Sequence, residues 1–462
     1  MRYTRNQRIN QLGRSRSGGS SSVLSMRLGV APGGRYLANN GGSGAPTFLR
    51  CFSAWPIALS NPARWSDYIA SVKARGFNAL KMQVLTKWGT TAHNASTYDG
   101  ISPFTGANFS TPRETYFARV DSFLDLLAQE NLYSVLAPLY YGYRPGGSAQ
   151  GWKPEADTAG VSVIQDYGAF VGARYANRAN VVWLLAGDHT PDHVGTAESN
   201  PQLLKGMLDG LRGAGATQLA CPHFGQDDTS ALITPAGHTW DLYTWYTWTK
   251  DGCSEYALDA YAANVGPVFE AEVLYENNGG FITNTRELRA QWWRALLGGS
   301  LAAVDYGNEG WGYPDSGGTE PFPQGGDWED FVNDSGAAWY QIMADKVTAE
   351  AWHLLVPEAE GASTLVTSGG GTLGTAGYVS RCKASDSSVA FFYVYDGHSF
   401  DVARSQMSGT FAATWIDPTN GSESAVSGSP LTNSGTLTLN AGSAKGNNAA
   451  GQADWAVRLK VQ

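Results

Sequence analysis

Two apolar runs in this chain each end on a carboxylate. One is Asn180-Val181-Val182-Trp183-Leu184-Leu185-Ala186-Gly187-Asp188-His189, and the other is Pro267-Val268-Phe269-Glu270-Ala271-Glu272. A continuous apolar run of this length reads as a strand buried on both faces, as in a parallel sheet wrapped by helices. In barrels of alternating strands and helices, the functional groups stand at the C-terminal ends of the strands. Carboxylates on two such strands, far apart in sequence, can flank one bond. Glycoside hydrolysis requires that arrangement.

The flanking sequence fits such a barrel. Strand-like and helix-like segments alternate from Gly34 to about Glu350. Strands are expected at residues 47–52, 76–85, 132–139, 181–188, 218–222, 241–245, 267–272 and 302–306. Helices are expected at 61–75, 112–130, 161–175, 201–213 and 286–297, with a closing helix around 339–346. Eight strands in this alternation imply a (β/α)8 TIM barrel, an α/β fold. An open doubly wound sheet would place a Gly-rich phosphate turn after its first strand. Here that place holds Phe52-Ser53-Ala54-Trp55-Pro56.

From about residue 354, Gly, Ser and Thr dominate and helical periodicity stops. Short runs such as Val389 to Tyr395 and Ala412 to Ile416 are separated by Asp396-Gly397 and Asn420-Gly421 turns, which reads as a small all-β sandwich. The division expected is therefore residues 1–32, 33–353 and 354–462. The first segment carries Arg2, Arg5, Arg8, Arg14 and Arg16 among Ser and Gly, with no apolar signal-peptide core. It reads as a disordered tail or as an arm that docks into a larger assembly, and removing residues 1–30 is expected to leave the barrel folded.

Composition narrows the function classes. A net charge of -9 makes nucleic acid an unexpected partner. No apolar stretch reaches membrane-spanning length, so membrane insertion is not expected. Cys51, Cys221, Cys253 and Cys382 are scattered, without zinc-ligand spacing, so neither a metal nor another cofactor is expected. The 16 Trp, 22 Tyr and 17 Phe suit both core packing and stacking on sugar rings.

Several motifs together resemble a known family. They are Gly34-Arg35-Tyr36-Leu37, Ala54-Trp55, Gly76-Phe77-Asn78, Glu114-Thr115-Tyr116-Phe117 with Val120-Asp121, Trp183 to Asp188, and Pro267 to Glu276. The chain resembles the apiosidase-like (β/α)8 catalytic domain, near glycoside hydrolase family 140. Its C-terminal part is similar to a small β-domain family named for collagen binding. That second likeness rests on Leu355-Val356-Pro357, Tyr378-Val379, Trp415-Ile416-Asp417-Pro418 with Gly421, and Asp454-Trp455. The collagen label does not imply collagen binding here. The resemblance implies Asp188 as acid/base and Glu272, first in Glu272-Val273-Leu274-Tyr275-Glu276, as nucleophile. One departure is Cys51-Phe52-Ser53 where the family usually has Gly-Asp-Thr. A substrate-contacting carboxylate is thus expected to be missing at Phe52, and apiose specificity is not inherited.

Each candidate has a plainer reading beside it. Asp188 could cap the segment that follows it. Strand alternation puts Glu270 and Glu272 on one side, so spacing does not choose between them; the resemblance chooses Glu272. Tyr275 is counted with the substrate-binding residues, and Glu276 is expected to support the site or pair with a loop cation. Asn308, Glu309 and Trp311 follow the eighth strand as a sugar-binding loop or a Gly-rich closing turn. Trp55, Tyr140, Tyr141, Trp245 and Trp248 follow other strands as stacking subsites or core. His189 and His223 could hold hydroxyls, orient a carboxylate or be structural.

The expected function is hydrolysis of glycosidic bonds in a cell-surface or plant-type polysaccharide, with retention of configuration. The alternative is a carbohydrate-binding or structural protein that has lost turnover. A phage virion component would reconcile an extracellular substrate with the missing signal peptide. The basic arm would then dock onto other virion proteins.

Overall fold

The computed structural model describes residues 26–87, 95–142, 151–189, 201–229, 234, 237–263, 266–277, 285–313, 327–359, 361 and 364–462. Eight strands form one parallel sheet: β1 (Leu49–Ser53), β2 (Ala79–Gln83), β3 (Tyr133–Ala137), β4 (Val181–Leu185), β5 (Ala220–Pro222), β6 (Tyr243–Tyr246), β7 (Val268–Glu272) and β8 (Ala303–Tyr306). Outside them lie α1 (Trp65–Ala74), α2 (Glu114–Gln129), α3 (Val161–Tyr175), α4 (Pro201–Gly213), α5 (Cys253–Ala262), α6 (Thr285–Leu297) and α7 (Ser335–Thr348). The ladder runs β5-β4-β3-β2-β1-β8-β7-β6, so first and eighth strands pair and the TIM-like barrel is nearly closed. At the β5–β6 seam, Asp241 N donates to Ala220 O at 3.0 Å, and Asp241 Oδ2 accepts from Ala220 N at 2.8 Å. Thr244 Oγ1 reaches Pro222 O at 2.7 Å. Pro222 has no N–H to offer a ladder, so side chains complete the ring.

One expectation about elements changes. The α5 helix was not foreseen. Its buried face is Cys253, Ser254, Ala257, Leu258 and Ala260, mostly small side chains that give little apolar signal. Between β5 and β6 no helix occurs among the described residues. On the far side, α3 and α4 meet through Gly168 and Gly210. A Cβ at Gly168 would sit 2.6 Å from Met207 O, and one at Gly210 would sit 2.1 Å from Gln165 O.

The barrel interior is filled at its lower end by Leu49, Cys51, Ala79, Val182 and Phe269, and Met26 and Leu28 join that cluster. Both residues fall within the segment expected as the arm. Its last apolar residues plug the barrel floor, and Arg27 Nη2 fastens them to Thr217 Oγ1 at 2.6 Å. The five arginines of the leader lie outside the described residues. No helix among the described residues is long and apolar enough to cross a membrane.

After the barrel come β9 (Leu355–Pro357), β10 (Val366–Ser368), β11 (Ser380–Ala384), β12 (Val389–Val394), β13 (Ser399–Ala403), β14 (Phe411–Ile416), β15 (Glu423–Ala425), β16 (Thr436–Asn440) and β17 (Trp455–Val461). They form a six-stranded antiparallel sheet, β9-β11-β12-β17-β14-β15, and a three-stranded one, β10-β13-β16. β12 is buried on both faces: Phe392 and Val394 enter the core of these sheets, while Phe391 and Tyr393 join the core of the barrel.

The barrel's partner in that contact is α6, where every residue from Leu288 to Leu297 is buried. Trp293 stacks on Tyr393 with centroids 5.7 Å apart. Arg289 gives Nε and Nη2 to Asp454 at 2.8 and 2.7 Å, and neither side chain is exposed. Toward the barrel, Gln291 Oε1 accepts from Leu274 N at 3.2 Å, and its Nε2 donates to Thr247 O at 3.3 Å. One helix thus ties the C-terminal sheet to the loops after β6 and β7.

Removing one partner from a buried ion pair leaves the other charge uncompensated, at about 3–5 kcal/mol. Asp454→Ala should therefore lower the melting temperature of the whole chain in one transition, checked by calorimetry. Truncation through residue 30 should also lower it. Loss of Leu28 alone is worth about 2–5 kcal/mol by the usual cost of a large-to-small core change, checked by denaturant unfolding of Leu28→Ala.

Candidate active site

β4 ends at Leu185, and the next three residues turn sharply: Ala186, Gly187 and Asp188 have φ of 75°, 58° and 63°. Left-handed backbone at non-glycine residues costs about 1–3 kcal/mol each and persists where surroundings enforce it. At Gly187 a Cβ would stand 2.8 Å from the Tyr140 ring, so only glycine fits. The turn carries Asp188 inward, where its carboxyl takes hydrogen bonds from Tyr246 and Tyr140.

β7 reaches the same place by another irregularity. Against β6, Glu270 pairs with Trp245 and Glu272 with Tyr246, so Ala271 is bulged. A bulge breaks the alternation of side chains. Glu270 shares its face with Trp245 and Val304, both in the core shared with the helices. Glu272 turns to the barrel mouth. The expectation that these two glutamates point the same way is therefore corrected. Glu270 Oε2 accepts from Asp305 N at 3.1 Å, and burial pushes its carboxyl well above the usual range.

His223 stands between the Asp188 backbone and the Glu272 carboxylate. The Asp188 N–H lies 2.9 Å from His223 Nδ1, and His223 Nε2 lies 2.8 Å from Glu272 Oε2. A backbone N–H can only donate, so Nδ1 is the bare nitrogen and Nε2 carries the proton toward Glu272. Burial lowers the pKa of His223, which keeps the ring neutral.

The two carboxyls titrate in opposite directions. Burial, reinforced by the charge of Glu272, pushes Asp188 up to about 8. Burial would raise Glu272 too, but Lys81 and His223 outweigh it and hold the group below its ordinary value. At neutral pH one is an acid and the other an anion, the division of labour that two-carboxylate chemistry uses.

Beneath Glu272 lies Lys81, wholly buried on β2. Its Nζ is 2.7 Å from Asp305 Oδ2 and 3.9 Å from Glu272 Oε2, and it donates to Ala271 O, the carbonyl of the bulged residue. Ser53 Oγ donates to the same Asp305 oxygen at 2.8 Å. Trp55 covers Lys81 with its ring, 4.6 Å from Nζ to centroid, and gives Nε1 to Tyr275 OH at 2.8 Å. Lys81, Asp305 and Tyr246 were not among the residues singled out from sequence. A lysine inside Ala79-Leu80-Lys81-Met82-Gln83, a strand buried throughout, was the available signal.

The other candidates divide. Trp55, Tyr140, His223 and Tyr275 contact the carboxylates or the groups that hold them. Trp311 lies on the rim, its ring 6.3 Å from that of Tyr275. Trp248 is half-buried against the core. Trp245 is not a stacking subsite: it faces α5, stacks on Tyr256 and bonds Ser300 at 3.1 Å. Tyr246, the next residue on the strand, takes the inward position. Tyr141 and His189 pack together beside the pair, and burial takes His189 down to about 4, helped by nearby Lys153. Asn308 organises its own turn, accepting from Gly310 N at 3.0 Å and donating to Phe331 O at 2.8 Å. Glu309, partly exposed, gives its backbone N–H to Glu276 O at 2.9 Å. Among the described residues Glu276 pairs with no cation. It accepts from Tyr306 at 2.7 Å and from Gly336 N, at the start of α7, at 2.9 Å.

Phe52, the position expected to have lost a carboxylate, packs outward on Phe77, Tyr68 and Tyr306. The carboxylate in this quarter of the interior is supplied by Asp305 instead. Among the described residues no group of His, Cys, Asp and Glu is placed to hold a metal ion.

Two solved structures place this architecture. One described as a glycoside hydrolase superposes with a TM-score of 0.76 at 16% identity, over 94% of this chain and 96% of that one. A glycoside hydrolase family 5 protein from Bacteroides vulgatus ATCC 8482 gives 0.76 at 16% identity, over 94% of this chain and 93% of that one. At such identity the likeness is one of fold. No curated protein sequence matches the chain. The family model described as "Apiosidase-like, catalytic domain" matches residues 31–353, which span the barrel and both carboxylates. The chain therefore belongs to the apiosidase-like catalytic-domain family.

Proposed function

We propose that the protein is a glycoside hydrolase acting on a polysaccharide with retention of configuration. The observation that carries this reading is the pair of unlike carboxyls, Asp188 and Glu272, at the mouth of the barrel, with neutral His223 held between the Asp188 backbone and the Glu272 carboxylate. Asp188 gives its proton to the leaving glycosidic oxygen while Glu272 attacks the anomeric carbon and forms a glycosyl-enzyme. Asp188, now a carboxylate, takes a proton from water. The hydroxyl adds to the anomeric carbon and releases Glu272. In this reading residues 33–353 carry the chemistry and residues 354–462 brace α6. Trp311 and Tyr275 offer aromatic faces to a sugar ring at the rim.

The test is release of reducing sugar from a panel of purified cell-surface and plant glycans. Glu272→Gln should reduce turnover to background while glycan binding survives. Asp188→Asn should lower kcat by about 10²–10⁴-fold, the usual worth of a general acid. Glycan binding without turnover in the wild type would favour a binding protein instead.

The pH profile gives a second check. Asp188 acts protonated, so kcat/KM should fall as pH rises through about 8. Glu272 acts as an anion, so activity should fall on the acid side only below the ordinary glutamate range. The residual activity of Asp188→Asn should lack the alkaline limb. A profile in which that limb persists would remove Asp188 from the acid role.

A further inference from the structure

A lysine with no exposed surface, inside a barrel and beneath a carboxylate pair, calls for a role. Its ammonium has three geometrically fixed partners: Asp305 at 2.7 Å, Glu272 at 3.9 Å, and the carbonyl of the bulged Ala271. Trp55 closes it off from above. A simpler way to balance Asp305 would be a neutral residue at each position, since a buried ion pair is rarely a net gain in stability over apolar packing. The Glu272 carboxyl and the Ala271 carbonyl explain the arrangement better. Lys81 binds the backbone one residue before Glu272 and stands within ion-pair range of its side chain.

Resting on the reading above, we propose that Lys81 is a positioning residue for the reaction. Its single ammonium, shared between Asp305 and Glu272, aims Glu272 and holds its negative charge, so that Glu272 and not Asp188 attacks.

Other groups face Glu272 from every side of the mouth. His223 Nε2 lies 2.8 Å from its Oε2, and Tyr275 hydrogen-bonds it. Tyr246 and Asp188 stand across from it on β6 and after β4. Asp305 on β8 opposes its charge from below, and Glu270 does so from the helix side of β7. Among these described groups, Lys81 is the cation. Asp188, whose nearest partners are phenols, keeps its proton by comparison.

The experiment follows the Glu272 carboxyl itself, by 13C NMR of protein labelled at the glutamate δ-carbon, with Glu272→Gln identifying the resonance. This readout needs no substrate. In the wild type the resonance should titrate below the usual glutamate range. In the charge-balanced double variant Lys81→Met/Asp305→Asn it should titrate higher by about one to three pH units, the usual effect of an adjacent cation. The acid limb of hydrolysis should move with it, if the glycan panel has yielded a substrate. Asp305→Asn alone should move the resonance the other way, because the whole ammonium then serves Glu272. It also stands in for the double variant should that fail to fold. An unchanged Glu272 titration in either variant would overturn the proposal. Absence of hydrolysis from every glycan would instead overturn the glycosidase reading and leave this titration intact.

Discussion

The site depends on one ammonium placed where water does not reach. A charge in a low-dielectric interior must be matched by opposite charge and saturated with acceptors, or the fold does not keep it. Lys81 meets that demand with Asp305, Ala271 O and Glu272, contributed by β8 and β7. Three barrel strands are thereby locked together at the level of the chemistry. Its neighbours follow from it. Ser53 satisfies the Asp305 oxygen that Lys81 shares, Trp55 excludes solvent, and Tyr275 anchors Trp55.

Irregular backbone does the aiming. An ideal strand would send Glu270 and Glu272 to the same side, and the Ala271 bulge separates them within one residue. It also breaks the ladder to β8, which pairs only from Phe269↔Ala303 to Glu270↔Val304. The Glu270 side chain then accepts the Asp305 N–H. On β4 the same purpose is met by three successive left-handed residues. Both departures occur at strand ends, where regular hydrogen bonding is not needed to hold the barrel.

Much of this architecture was legible because apolar runs of strand length are hard to read otherwise. The eight strands, the carboxylates that end two of them and the change of texture near residue 354 all come from local pattern. What escaped has physical causes. Helix α5 buries mostly small side chains and so lacks an amphipathic stripe. The bulge at Ala271 leaves no mark in composition, so alternation misplaced Glu270. Trp245 looked like a subsite because aromatic type says nothing about which face a residue takes; Tyr246 beside it takes the inward face and bonds Asp188. Lys81 was visible as a charge within a buried strand, but its partner Asp305 lies 224 positions away and no local rule joins them. The double burial of β12 was written in its unbroken Val389-Ala390-Phe391-Phe392-Tyr393-Val394, which has no polar face to give to solvent.

Helix α6 also bears on how such chains can be recombined. Its outer surface offers Trp293 and the fully buried Arg289 to the C-terminal sheet, while Gln291 and Trp292 serve the barrel. A gene fusion that cut between the two and attached a different partner would hand an uncompensated guanidinium to solvent or to an unrelated surface. Barrel and sheet of this chain therefore depend on one another through α6. The change of texture near residue 354 is thus not a seam at which the two parts separate without cost.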